Sequence, residues 1–158
     1  MKLSIREMNE DFAVQILNWK YDAPYNFYNN ELDGEAIQEL IECSYKVVVD
    51  QNDNLVGFFC IGTSAQVPIG IQFGAYLENH IDVGIGMKPE LTGQGNGTTF
   101  FSFILKYIQE SNNDKCIRLT VAEFNHRAIQ LYEKLGFKRK MEFVNGATVF
   151  IVMVRERI

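Results

Sequence analysis

The chain is poor in the residues that build metal centres and disulfide frameworks. Its two histidines, His80 and His126, lie far apart, and its three cysteines, Cys43, Cys60 and Cys116, are odd in number with no C-x-x-C pair. That pattern fits neither a zinc site nor a disulfide scaffold, so no metal is implied and all three thiols are expected to be buried and reduced. Long apolar runs are also missing. The longest, Ala147 to Val154 with one Thr, falls far short of the roughly 20 residues that cross a bilayer. The opening Met1-Lys2-Leu3-Ser4-Ile5-Arg6-Glu7-Met8 turns polar at once, unlike a signal peptide. A soluble, cytoplasmic protein is the expectation. Basic residues are in deficit: 15 Lys plus Arg stand against 20 Asp plus Glu, giving a net charge of −5 and a pI near 5.1. This is the reverse of a nucleic-acid binder's basic footprint, so neither nucleic acid nor a membrane is an expected partner. Any anionic ligand must be met locally.

What is present is the mixture of an ordinary globular domain, with 47% hydrophobic and 22% charged residues in 158. A chain this long buries about 68 to 70% of its unfolded surface, enough to be stable without staples. A single domain over 1–158 is expected. Alternation over Leu3 to Met8 predicts a strand, and Asn9 or Asp11 can cap a helix with Phe12, Ile16 and Leu17 on one side. The aromatic stretch Trp19 to Asn30 has neither period and reads as an ordered loop. Asp33 predicts the N-cap of a helix carrying Ile37, Leu40 and Ile41, followed by strands Tyr45 to Asp50 and Leu55 to Thr63 about an Asn52-Asp53-Asn54 turn. Ser64 to Asn79 reads only as an insertion between strands.

His80 to Met87 predicts a strand with Ile81, Val83, Ile85 and Met87 on one face. Asp82, Gly84 and Gly86 lie on the other, which is nearly bare and leaves room for a backbone or a ligand. Pro89 to Gly97 reads as a loop, and Thr98 to Gln109 as a helix so apolar that it must be buried on most sides. Strand Cys116 to Ala122, helix Asn125 to Leu135 ended by Gly136, and strands Phe137 to Phe143 and Thr148 to Val154 about an Asn145-Gly146 turn complete the chain. The order β α α β β β α β α β β is that of a mixed α/β sheet.

Gly93-Gln94-Gly95-Asn96-Gly97-Thr98 stands directly before the buried helix. Glycines there let backbone N–H groups turn toward one point beside the helix's positive end, which suits a phosphate or pyrophosphate. Two familiar nucleotide motifs fail on detail. A P-loop needs Lys after its last glycine, where this chain has Thr98, and a dinucleotide fingerprint needs glycine where it has Thr98 or Pro89.

Two segments resemble the GNAT superfamily of acyl-CoA-dependent N-acetyltransferases. Asp82-Val83-Gly84-Ile85-Gly86-Met87-Lys88-Pro89-Glu90-Leu91-Thr92-Gly93-Gln94-Gly95-Asn96-Gly97 is similar to that family's strand, Pro-Glu turn and pyrophosphate loop. Asn125-His126-Arg127-Ala128-Ile129-Gln130-Leu131-Tyr132-Glu133-Lys134-Leu135-Gly136-Phe137 looks like its Asn-x-x-Ala-x-x-Leu-Tyr-x-Lys-x-Gly-Phe helix almost position for position. One departure is Thr92, where the family usually has Gln or Arg, so a side-chain donor to the pyrophosphate is replaced by a hydroxyl.

The resemblance implies an α/β fold with a mixed, mostly antiparallel, central sheet of about seven strands flanked by about four helices. It implies acetyl-CoA as cosubstrate and direct transfer of acetyl to a primary amine of a small molecule or peptide. Ile85, Gly86 and Met87 would offer backbone groups to pantetheine, Thr92, Gly93, Gln94, Gly95, Asn96, Gly97 and Thr98 would cradle the pyrophosphate, Asn125 would bind the pantetheine arm, and Tyr132 would protonate the departing thiolate. Asn125 and Tyr132 are seven positions apart, which places them within about 20° of one helix face. A tyrosine, pKa about 10, can donate to a thiolate whose thiol has pKa about 8.5. For the base that deprotonates the amine, Asp82 ranks above Glu123, and a water chain is the alternative. Trp19, Tyr25 and Tyr28, with Asp22 and Glu31 nearby, suit a cationic amine through their ring faces, although an aromatic mini-core reads equally well. A non-catalytic acyl-CoA-binding domain is the alternative function, and the oligomeric state, monomer or homodimer, is left open.

Overall fold

The structure is a computed structural model that describes residues 1–112 and 114–156. Strands β1 (Ser4–Glu7), β2 (Lys46–Val49), β3 (Leu55–Ile61), β4 (Ile81–Met87), β5 (Ile117–Ala122), β6 (Lys138–Asn145) and β7 (Thr148–Arg155) form one sheet of order β1-β2-β3-β4-β5-β7-β6. Helices α1 (Glu10–Leu17), α2 (Gly34–Glu42), α3 (Asn96–Ser111) and α4 (His126–Lys134) connect them. Strands β4 and β5 are parallel, joining Ile81 to Ile117 and Asp82 to Arg118. The pairs β1/β2, β2/β3, β5/β7 and β6/β7 are antiparallel. A parallel neighbour requires a crossover, and α3 supplies it. The element order and the mixed sheet are those expected.

The chain divides into two compact units, Met1–Cys60 with Ile85–Phe103, and Ile61–Gly84 with Ile104–Ile158. In the first, α1 and α2 start where their caps dictate: Asn9 Oδ1 accepts from Phe12 N at 2.8 Å, and Asp33 Oδ1 from Ala36 N at 2.7 Å. Ala13, Ile16 and Leu17 of α1, with Leu40 of α2, bury against Val47 and Val49 of β2 and Leu55 of β3. Each large side chain so buried contributes about 1.5–3 kcal/mol. In the second unit Phe143 stacks on Phe150 at 5.6 Å between centroids and on Phe73 at 6.1 Å, closing a core with Ala75 and Val152.

Several sequence expectations shift. The insertion holds two 3-10 turns, Gly62–Ala65 and Pro68–Phe73. Loop 19–30 contains another, Tyr25–Tyr28. Helix α3 begins at Asn96, two residues early, because the loop's glycine turns end at Gly95. The β6/β7 hairpin pairs Asn145 with Thr148, so its loop is Gly146-Ala147, not Asn145-Gly146. Gly146, at φ +62°, takes the first position of a II′-type turn, where glycine is favoured. Of the three free thiols Cys60 alone is buried; Cys43 is exposed at the α2 C-cap and Cys116 is half-buried.

Candidate active site

In the first unit, the loop after β4 is built by its own side chains. Thr92 Oγ1 donates to Pro89 O at 2.7 Å, Gln94 Nε2 to Glu90 O at 2.7 Å, and Asn96 Nδ2 to Leu91 O at 3.0 Å. The Thr92 hydroxyl is therefore committed to the turn instead of reaching outward. Gly93 and Gly95 take φ of +72° and +81°, a region that side chains with a Cβ enter at a cost. Directly after them α3 starts at Asn96, bringing Gly97 and Thr98 into its first turn. The first N–H groups of a helix lack intrahelical acceptors and carry its positive end, so this loop and helix can hold a pyrophosphate.

The bare strand face is filled in part by the chain itself. A Cβ on Gly86 would collide with the ring of Phe58, and one on Gly57 would meet the Phe100 ring and come 2.5 Å from the Gly86 carbonyl. These glycines make room for aromatic rings. At the end of β4, the Met87 carbonyl accepts from Tyr21 Oη at 2.7 Å, which fastens the aromatic loop to the strand. Asn29 Oδ1 in turn accepts from Tyr21 N at 2.7 Å. Trp19 packs into the helix core and lies 6.0 Å from the Phe58 ring, while Tyr28 meets Phe27 edge-on at 5.1 Å. Tyr25 and Tyr28 are half-buried, as Trp19 is, and Phe27 is exposed; Trp19 is the one of these packed against the helix core.

In the second unit, Asn125 is the N-cap of α4, its Oδ1 accepting from Ala128 N at 3.2 Å. Tyr132, two turns along, is buried with its ring 6.0 Å from that of Phe137. Gly136, at φ +95°, ends the helix.

Asp82 is only 4% exposed, and its carboxylate is fully engaged. Arg118 Nε donates to Oδ1 at 2.6 Å and Arg118 Nη2 to Oδ2 at 2.8 Å, a bidentate pair. Gln66 Nε2 adds a bond to Oδ2 at 2.8 Å. Arg118 also donates to the Glu78 carbonyl at 3.0 Å and lies over the Tyr76 ring at 5.2 Å. Tyr76 Oη accepts from Val67 N at 2.9 Å and shares a hydrogen bond with Thr120 Oγ1 at 2.8 Å. The network ties insertion residues 66–78 to β4 and β5. Sequence reading missed Arg118, Gln66, Tyr76 and Thr120. The available signal was Arg118 itself, a cation inside an apolar strand that could be buried only with an anion opposite.

Among the described residues no group of three or more His, Cys, Asp or Glu could hold a metal ion, and no helix is long and apolar enough to cross a membrane.

The structure resembles a chimera of the spermidine N-acetyltransferase SpeG from Vibrio cholerae and hSSAT, at TM-score 0.71 and 24% identity over 99% of this chain and 96% of that one. It also resembles an aminoglycoside acetyltransferase solved with ribostamycin and coenzyme A, at TM-score 0.71 and 16% identity over 99% and 94%. At these identities the likeness is one of fold. No curated protein matches the chain in sequence. The sequence model described as the acetyltransferase (GNAT) family matches residues 11–137, which takes in the glycine loop, Asn125, Tyr132 and Phe137. With that match over most of its length, the chain belongs to the GNAT acetyltransferase family and is an acyl-CoA-dependent acyltransferase.

Proposed function

We propose that the protein transfers the acetyl group of acetyl-CoA to a primary amine of a small cationic molecule or peptide, by direct attack in a ternary complex. The observation that carries this reading is the loop itself: two left-handed glycines in a turn braced by side-chain bonds, leading straight into the first turn of a long helix with one buried face. Backbone groups from Gly93 to Thr98 hold the pyrophosphate, and Ile85, Gly86 and Met87 present backbone groups to pantetheine and to the developing oxyanion. Asn125 binds the pantetheine arm with its amide, since its Oδ1 already caps α4. Tyr132 delivers a proton to the CoA thiolate.

The amine must lose a proton before it attacks. Because Arg118 and Gln66 occupy both oxygens of Asp82, ordered water is favoured over Asp82 as the acceptor of that proton. Tyr25 and Tyr28, half-buried in the aromatic loop, meet a cationic acceptor with Asp22 and Glu31 close in sequence. Two similar folds support this acceptor class: one is named for spermidine, and the other is solved with ribostamycin.

Calorimetric titration with acetyl-CoA and steady-state kinetics test the assignment. Gly95→Ala, whose Cβ would meet no atom within 4 Å, strains only the loop backbone and should weaken acetyl-CoA binding about tenfold or more. Tyr132→Phe should lower kcat while leaving acetyl-CoA affinity unchanged. Equal affinity in Gly95→Ala and equal kcat in Tyr132→Phe would overturn these two roles.

A further inference from the structure

The second unit carries a basic cavity that the acetyl-transfer reading does not use. A cavity of about 560 Å³ opens at the end of α4, lined by Lys134, Gly136, Lys138, Lys140, Arg155 and Glu156. Among the described residues four cations thus line it against one carboxylate, in a chain whose net charge is −5. The volume is that of a small-molecule site.

Two structural devices bring these groups together. Along the β6/β7 hairpin, Lys138 pairs with Val154 and Arg139 with Met153, but Met141 then pairs with Val152. Lys140 is the extra residue of a β-bulge, and such bulges re-aim side chains and gather beside functional sites. Arg155, the last residue of β7, lies against the Gly136 turn, with Nε 3.8 Å from where a Gly136 Cβ would stand. The last carbonyls of α4 already accept from Leu135, Gly136 and Phe137 N–H groups.

Among the described residues, Arg155 Nη1 is buried and has no hydrogen-bond acceptor. A buried, charged donor left unmade is disfavoured, and such an atom in a folded protein marks a missing partner. The negative end of α4 explains why Lys134 stands where it does. It does not explain a buried guanidinium nitrogen with no acceptor among the described residues, beside two further lysines.

We propose that this cavity is an anion site for a phosphate-bearing small molecule, Lys138 and Lys140 meeting its charge at the surface and the Arg155 side chain turning to bring its buried, unpartnered Nη1 to one phosphate oxygen. The guanidinium fork matches phosphate geometry, the lysines act as point charges, and Leu135 and Val154 offer apolar wall to the organic part. The site is independent of the acetyl-transfer reading.

The test is a residue-resolved NMR titration of the full chain with inorganic pyrophosphate against sodium chloride at matched ionic strength, in which the Gly93–Thr98 amides report the loop and the amides beside the cavity report the proposed site. Saturable shifts of the Gly136, Lys138, Lys140 and Arg155 amides are expected with pyrophosphate and not with chloride. Lys140→Ala, an exposed side chain, should weaken binding about tenfold, and Arg155→Met should weaken it further. If Arg155→Met does not fold, the parent chain and Lys140→Ala decide. The proposal is overturned if the shifts do not saturate, if chloride reproduces them, if they are confined to residues 93–98, or if Lys140→Ala binds as the parent does.

Discussion

Arg118→Met removes one partner of the most deeply buried ion pair described in the protein. Asp82 is 4% exposed and Arg118 3%, so neither charge has water to fall back on. Methionine keeps much of the volume but abandons the two bonds to Asp82, the bond to the Glu78 carbonyl and the cation over Tyr76. The Asp82 carboxylate is left with the Gln66 amide. Breaking a buried pair in this way costs about 3–5 kcal/mol. For a chain of this size about 2–4 °C of Tm follows each kcal/mol, so a fall of about 6–20 °C is expected. The double variant Asp82→Leu/Arg118→Met removes both charges and should cost much less than the two single variants together, since apolar replacements of buried pairs are often neutral. Urea unfolding followed by circular dichroism of the four proteins yields the coupling. A cost under about 1 kcal/mol for Arg118→Met, or strict additivity, would refute the argument that this pair is desolvated and mutually dependent.

Gly57→Ala places a Cβ against the Phe100 ring and the Gly86 carbonyl; over-packing of this kind should cost about 1–3 kcal/mol, measured in the same unfolding assay. Tyr45 is pushed well above the usual tyrosine range, first by burial and then by its charge interaction and hydrogen bond with Cys60. In the unfolded chain this phenol ionises near pH 10, while in the folded chain it stays neutral, so its contribution to stability is complete below about pH 10 and declines as pH rises above it. Tyr45→Phe should therefore show a shallower loss of stability between about pH 10 and 12 than the parent, read from urea midpoints at each pH.

Periodicity and caps made most of the fold legible. Asn9 or Asp11 announces α1 and Asp33 announces α2 because a short side-chain oxygen before an apolar helical period has one favourable use, and the structure makes Asn9 and Asp33 the caps, each accepting from the N–H three residues on. The family likeness rests on residues with specific local jobs, above all Gly93, Gly95 and Gly136, which the structure shows in left-handed conformations. What was illegible depends on long-range pairing. Asp82 read as a carboxylate on an open face because sequence gives parity but not register, and only the parallel pairing of β4 with β5 sets it opposite Arg118. Gly86 read as space for a ligand because nothing local shows that the Phe58 ring fills it. Residues 62–79 hold two short 3-10 turns and are fastened through Tyr76 and Gln66 to distant strands, so they carry no period of their own.

The measurement that bears most directly on acetyl transfer is release of free CoA thiol from acetyl-CoA across a panel of polyamines, aminoglycosides, amino acids and peptides, with mass analysis of the acceptor. The predicted result is release that depends on a cationic amine, recovery of that amine carrying one acetyl group, and a lower rate in Tyr132→Phe at unchanged acetyl-CoA affinity. Tight acetyl-CoA binding with no acceptor raising thiol release above background would contradict it.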